Sequence, residues 1–277
     1  MPISFKEDHI SQIPALLMLE KFGYTYLTPD EALALRGGNL ANVLLEPVLR
    51  KQLAAINVVQ VSSMRTTVFS EQNITAGIDA LRNIPMDEGF MEASQTVYDL
   101  LTSGKTLEQI VDGDRKSFVM QYIDWKNPRN NVFHVTEEFA VSRTGMTDTY
   151  RPDIVLFVNG IPLCIIECKR PDVKDSIEQA ISQHLRNQKA DGIRSLYLYS
   201  TLLLAINRQE GSYATTATPE KFWARWREQF TDREEEARYR QELERVVNEP
   251  LLDDKLFGER FDYCLLYTSP SPRDRTR

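Results

Sequence analysis

Cysteine is scarce in this 277-residue sequence: Cys164, Cys168 and Cys264 are all it has, and no two form a CxxC pair. That leaves no disulfide framework and no zinc knuckle, and Cys164 and Cys168 read as core thiols of one strand. Long apolar runs are missing as well. None approaches the roughly 20 residues of a membrane helix, and the start, MPISFKEDHI, lacks the basic-then-apolar pattern of a signal peptide. These absences imply a cytoplasmic protein with no membrane partner. Positive charge is not in excess either. A formal net charge of −7 argues against non-specific coating of nucleic acid, although a local basic groove fits within it. Finally, no complete phosphate-binding loop and no DEAD-like box is found. Gly104-Lys105-Thr106 looks like the end of such a loop, but Asp99 stands where the pattern needs its first glycine, and the residues before it read as a helix instead of a buried strand.

What is present suits a soluble globular chain with room for one large or two modest domains: 42% hydrophobic and 26% charged residues. Apolar spacing predicts helices over residues 4–22, from Thr28 to the Gly37-Gly38 stop, and over 43–56. Thr28-Pro29-Asp30-Glu31 carries the cap, first-turn proline and acid of a capping box. A β-rich stretch over 58–69 is followed by helices over 70–82 and 87–101. Residues 116–125 read as a strand, and 132–141 as another with Phe133, Val135, Phe139 and Val141 on one face. Strands at 153–158 and 161–169 come next, then a helix over 172–189 with Ile177, Ala180, Ile181, His184 and Leu185 inward. The run 195–207 is apolar enough for a central strand, with an edge strand at 212–218. Residues 219–249 read as a charged helix with Phe222, Trp223 and Trp226 on one stripe. The order predicts an α/β or α+β core, helices packed on a mixed sheet.

One stretch, RPDIVLFVNGIPLCIIECKRP from Arg151 to Pro171, holds unexplained charge. Asn159-Gly160 between two apolar runs is a hairpin signal. Folding it brings Asp153 back towards Glu167, and strand alternation puts Glu167 and Lys169 on one face with Cys168 on the other. Asp153, Glu167 and the backbone carbonyl of Cys168 form an oxygen set suited to Mg²⁺, with Mn²⁺ as a substitute. Lys169 could then orient or deprotonate a water attacking a phosphodiester. Taken alone, D-x13-E-x-K serves equally for a surface hairpin with a same-face ion pair and no chemistry.

Further blocks carry a resemblance. Asn131-Val-Phe-His-Val135, Arg151-Pro-Asp153, Asn159-Gly-Ile-Pro-Leu163, Ile166-Glu-Cys-Lys169 and Gln183 with Arg186-Asn-Gln188 resemble the N-terminal endonuclease region of the type I restriction enzyme R subunit, a PD-(D/E)xK nuclease, over nearly all of residues 1–263. The resemblance implies a restriction-endonuclease-like core with a mixed central sheet. It implies Asp153 and Glu167 as metal ligands, Lys169 as catalytic lysine, and Mg²⁺-dependent cleavage of double-stranded DNA. It also implies methyltransferase (M) and specificity (S) partner subunits, and ATP used by a motor domain in the full-length protein alone. Gln183 matches the glutamine of the family's Q-x-x-x-Y motif, and Asn187 stands where tyrosine is common. Gln183 and Arg186 are candidates for DNA contact or active-site support, and His184 for core packing. Many members have a glutamate in the first helix where this chain has Gln12, which receives no metal role.

The expected division is a mainly helical region at 1–110, a nuclease core at 111–218, a charged helical segment at 219–263 leading to a missing motor, and a tail at 264–277. That Ser-, Pro- and Arg-rich tail resembles translated sequencing-adaptor read-through. Two other functions remain open: a catalytically silent docking module of the same assembly, and a different PD-(D/E)xK nuclease of defence or repair.

Overall fold

A computed structural model describes residues 11–62, 65–227 and 229–248. The expectations for residues 4–10, for 249–263 and for the tail with Cys264 lie outside the described residues. Helix α1 (Ile13–Lys21) leads into strand β1 (Thr25–Leu27) and then α2 (Pro29–Leu35). The capping box forms as its residue types require: Thr28 Oγ1 accepts from the Glu31 amide at 3.2 Å, and Glu31 Oε2 accepts from the Thr28 amide at 2.9 Å. Helix α3 (Glu46–Ile56), a hairpin of β2 (Val58–Ser62) and β3 (Arg65–Val68), and helices α4 (Glu71–Arg82) and α5 (Phe90–Ser103) follow. Gly104 caps α5 with a φ of +78°, and Lys105 opens a second hairpin, β4 (Lys105–Val111) with β5 (Asp114–Met120). Gly104-Lys105-Thr106 thus runs from helix into strand, the reverse of the strand–loop–helix order that holds a phosphate.

The remaining strands are β6 (Phe133–Glu137), the short pair β7 (Val141–Ser142) and β8 (Thr149–Tyr150), β9 (Ile154–Val158), β10 (Ile161–Cys168), β11 (Leu202–Ile206), β12 (Gly211–Ala214) and β13 (Ala224–Arg225). Helices α6 (Ser176–Asn187) and α7 (Arg194–Tyr197) stand between β10 and β11, and α8 (Arg233–Asn248) follows β13. Seven strands make one mixed sheet in the order β1-β6-β9-β10-β11-β12-β13. The β1–β6 and β10–β11 pairs are parallel and the others antiparallel. The fold is the mixed α/β architecture of a PD-(D/E)xK nuclease, as the resemblance implies. Strand alternation divides the core between two faces. Val155, Phe157, Ile161, Ile165 and Leu203 pack with residues of α3, α4, α5 and α7, whereas Ile154, Leu156, Cys164, Ile166 and Cys168 pack with Leu16 of α1. No helix among the described residues is long and apolar enough to cross a membrane.

Four expectations need correction. The apolar run 195–207 is not one strand: it begins in α7, turns, and only Leu202–Ile206 joins the sheet. Hydrophobicity marked burial correctly there, since Leu196, Tyr197 and Leu203 are sealed, but a continuous apolar run does not distinguish helix from strand. Residues 132–141 do not keep one face. Glu138 adopts a left-handed φ of +48°, so Val135 packs with Leu16 while Phe139 and Val141 enter the other cluster. The 212–218 edge strand shortens to β12 and is covered by β13. Lastly, 219–226 is a turn and a short strand, so Trp223 packs inward while Phe222 and Trp226 lie exposed.

Candidate active site

The β9–β10 hairpin places the three sequence-derived residues together. Asn159 and Gly160 take φ of +53° and +84°, the pair of left-handed conformations a two-residue turn requires. Register then fixes the open end: Ile166 lies opposite Ile154, so Asp153 and Glu167 flank adjacent ends of the two strands. Asp153 Oδ2 accepts from the Cys168 amide at 2.7 Å and stands 3.8 Å from Lys169 Nζ, which donates to the Cys168 carbonyl at 3.0 Å. Cys168 faces the α1 side with Leu16, leaving its backbone carbonyl at the site.

Glu167 is fully buried. Burial, followed by the neighbouring Asp153 carboxylate, raises its pKa well above the ordinary carboxylate value. Two amides address its oxygens from α6. Gln183 Nε2 donates to Oε2 at 2.5 Å, and Asn187 Nδ2 donates to Oε1 at 3.4 Å. Asn187 is itself sealed and belongs to the same constellation. Its i, i+4 spacing from Gln183 is the signal that puts both on one helix face. Arg186 projects outward, bonding Asn187 Oδ1 and stacking 4.6 Å over the Tyr150 ring. His184 is a core residue, with Tyr197 and the Leu204 carbonyl as partners.

A second carboxylate layer lies beside Asp153. Buried Glu137 accepts from Tyr26 Oη at 2.7 Å and from Gln12 Nε2 at 3.1 Å, and Gln12 Nε2 also lies 3.3 Å from the Asp153 carbonyl. Ser11 Oγ donates to the Lys169 carbonyl at 2.8 Å. Burial and then Asp153 raise the Glu138 carboxyl. Ser11 and Tyr26 were not legible as neighbours of the site, because they meet Lys169 and Glu137 across 158 and 111 residues of chain; Gln12 stood out only through the resemblance, and nothing local marks Glu137.

Among the described residues no three His, Cys, Asp or Glu side chains gather into a metal cage. The two carboxylates and the Cys168 carbonyl are nevertheless hard oxygen donors of the type Mg²⁺ takes with waters completing its shell. Like-charge repulsion at Glu167 and Asp153 is also what a divalent cation between them relieves. The donor set therefore fits such an ion.

Comparison with known proteins adds the family. Residues 4–222 match the family described as "Type I restriction enzyme R protein N terminus". A putative type I restriction enzyme MjaIXP endonuclease subunit of Methanocaldococcus jannaschii is 27% identical over 228 residues, covering 79% of this chain and 20% of the relative. The type I restriction enzyme HindI endonuclease subunit of Haemophilus influenzae is 28% identical over 206 residues, covering 72% and 18%. A second M. jannaschii relative, the putative MjaVIIIP endonuclease subunit, is 30% identical over 175 residues, covering 62% and 15%. The chain thus spans about a fifth of the length of the curated relatives it matches. With the match running from the first helix to the turn after β12, this chain belongs to the family of type I restriction enzyme R protein N-terminal regions.

Proposed function

We propose that this region is the DNA-cleaving part of a type I restriction R subunit, hydrolysing phosphodiester bonds of double-stranded DNA with Mg²⁺, or Mn²⁺ in its place. The observation that carries the reading is the convergence of Asp153, Glu167 and Lys169 at the open end of one hairpin, with Glu167 buried against a like charge. Structural carboxylates are seldom left in such a place. Asp153, Glu167 and the Cys168 carbonyl would hold the cation, which when bound supplies a Lewis acid for the phosphoryl oxygen. Gln183 and Asn187 fix the Glu167 oxygens, and Asp153 holds the Cys168 amide so that its carbonyl faces the site. Lys169 Nζ, held by the Cys168 carbonyl, is placed to orient a water and to offset charge growing on the phosphate. Gln183 and Arg186 support the site, with Arg186 on the side from which a DNA backbone would approach.

In the intact protein this cutting is coupled to ATP-driven translocation, in a cytoplasmic complex with M and S subunits. The region alone neither hydrolyses ATP nor chooses a sequence, and nicks DNA weakly. Asp153→Ala and Lys169→Ala in a full-length R subunit assembled with its partners are expected to reduce cleavage about a hundredfold or more, with ATP hydrolysis unchanged. Cleavage that survives both substitutions would falsify the assigned centre and favour a silent docking module.

A further inference from the structure

We infer that the residues leading into α1 are positioning residues that set the width of the centre: Ser11 and Gln12 bridge the two strand ends carrying Lys169 and Asp153, and so make the site favour Mg²⁺ over Ca²⁺. A bridge is needed because the ladder stops short. Strands β9 and β10 pair as far as Ile154 opposite Ile166, and beyond that point the two chains turn to different neighbours. The Asp153 carbonyl accepts from the Glu138 amide at 3.0 Å, on the β6 side, and the Lys169 amide donates to the Ile206 carbonyl of β11 at 2.9 Å. Across the gap the Cys168 amide donates to Asp153 Oδ2 at 2.7 Å, a tie to a side chain that can turn about its own bonds. The backbones themselves are tied from α1. Ser11 Oγ donates to the Lys169 carbonyl at 2.8 Å, and Gln12 Nε2 donates to the Asp153 carbonyl at 3.3 Å. Consecutive Cα atoms stay about 3.8 Å apart, so both carbonyls hang from a span of fixed length.

The span is held still by its own partners. Gln12 is buried, and its amide has two N–H groups, one for the Asp153 carbonyl and one for Glu137 Oε2 at 3.1 Å. Both partners accept, so flipping the amide would set its oxygen against theirs. Tyr26 Oη donates to the other Glu137 oxygen at 2.7 Å and holds that carboxylate in turn. One helical turn after Gln12, sealed Leu16 packs in one cluster with Ile154, Ile166 and Cys168. Helix α1 therefore cannot slide along the strands without opening that core. The carbonyl that Ser11 grips is one residue from that of Cys168, and the carbonyl that Gln12 grips belongs to Asp153 itself. The span thus separates two of the oxygen donors proposed for the cation. Mg²⁺ demands near-ideal octahedral geometry at about 2.0–2.1 Å, whereas Ca²⁺ accepts flexible shells at about 2.3–2.6 Å. Loosening the span should therefore harm Mg²⁺ binding more.

The ion preference rests on the reading of Asp153 and Glu167 as ligands, whereas the bridge does not. In the 277-residue chain, Ser11→Ala removes one oxygen and leaves the core untouched. It is expected to speed hydrogen exchange of the Cys168 amide, whose acceptor lies across the gap. By calorimetry it should weaken Mg²⁺ binding about tenfold and Ca²⁺ binding less. Ser11→Thr keeps the hydroxyl and should restore all three readouts. Gln12→Met, which removes both N–H groups, should exceed Ser11→Ala in each; should it fail to fold, the Ser11 pair decides alone. Ser200→Ala is the control, because that buried hydroxyl donates to the Pro162 carbonyl near the other end of β10; it should change none of them. Unchanged Cys168 exchange in Ser11→Ala overturns the bridge, and equal losses of the two ions overturn the preference. If the parent binds neither ion, the ligand reading and the preference fall together, while Cys168 exchange still decides the bridge.

Discussion

The two ends of the β9–β10 hairpin bury polar groups for opposite purposes. At the turn, Asn159 is sealed and wholly matched: Nδ2 donates to the Tyr122 carbonyl at 2.9 Å and to Asn131 Oδ1 at 2.8 Å, and Oδ1 accepts from the Val132 amide at 2.9 Å. Every partner is neutral, and each bond locks the turn to a neighbouring segment. At the open end Glu167 is equally sealed but sits beside Asp153, and the amides of Gln183 and Asn187 do not cancel the repulsion. One end is satisfied as it stands. The other keeps two acids side by side, with Lys169 as the nearby opposing charge.

This contrast can be broken by substitution. The largest effect is expected at Gly160, where a Cβ would lie 2.6 Å from the Leu45 carbonyl oxygen on a backbone already at φ +84°. Gly160→Val should cost about 3 kcal/mol of stability, read from the urea midpoint; a loss under about 1 kcal/mol would mean the turn is not the rigid end. Asn159→Leu strands three buried partners and should cost about 2–3 kcal/mol, seen in the same measurement.

At the open end the sign reverses. Folding raises the Glu167 pKa, so its contribution to stability is complete below the ordinary carboxylate range and is lost as pH rises through the raised folded value. Glu167→Gln, which cannot ionise, should therefore gain stability relative to the parent as the pH rises from about 4 to about 8. Thermal melts across pH decide this, and parallel curves for the two proteins would contradict it. The smallest change is expected from Gln183→Ala, which removes one donor to Glu167 from a half-buried position and should shift stability by about 0.5–1 kcal/mol. Its larger consequence should be weaker Mn²⁺ binding, about tenfold; unchanged affinity would separate Gln183 from the site.

The hairpin was legible because its signals are local. Asn-Gly needs no distant partner to specify its turn, and period-two alternation then puts Glu167 and Lys169 on one face with Cys168 on the other. The capping box at Thr28 was readable for the same reason. What failed depended on long-range packing or on one residue's backbone. Glu138 is an ordinary glutamate in sequence, and its left-handed conformation, which turns Phe139 to the opposite face, has no local signature. The Tyr26–Glu137–Gln12 contacts join elements far apart in the chain. Asn187 could be set on a helix face with Gln183, but its burial depends on α7, and the apolar residues of α7 read as part of a strand.

The N-terminal bonds to the site carry a consequence for the order of assembly. Ser11 reaches the Lys169 carbonyl and Gln12 the Asp153 carbonyl across 158 and 141 residues, whereas Gln183 lies 16 residues from the acid it holds. During synthesis the first helix leaves the ribosome long before the hairpin it must touch. The hairpin and α6 can meet through short loops as they emerge, but the α1 side has to wait for nearly two-thirds of this chain. The two acids are thus brought together early and braced from the α1 side late, so the centre completes only when the sheet behind it is in place.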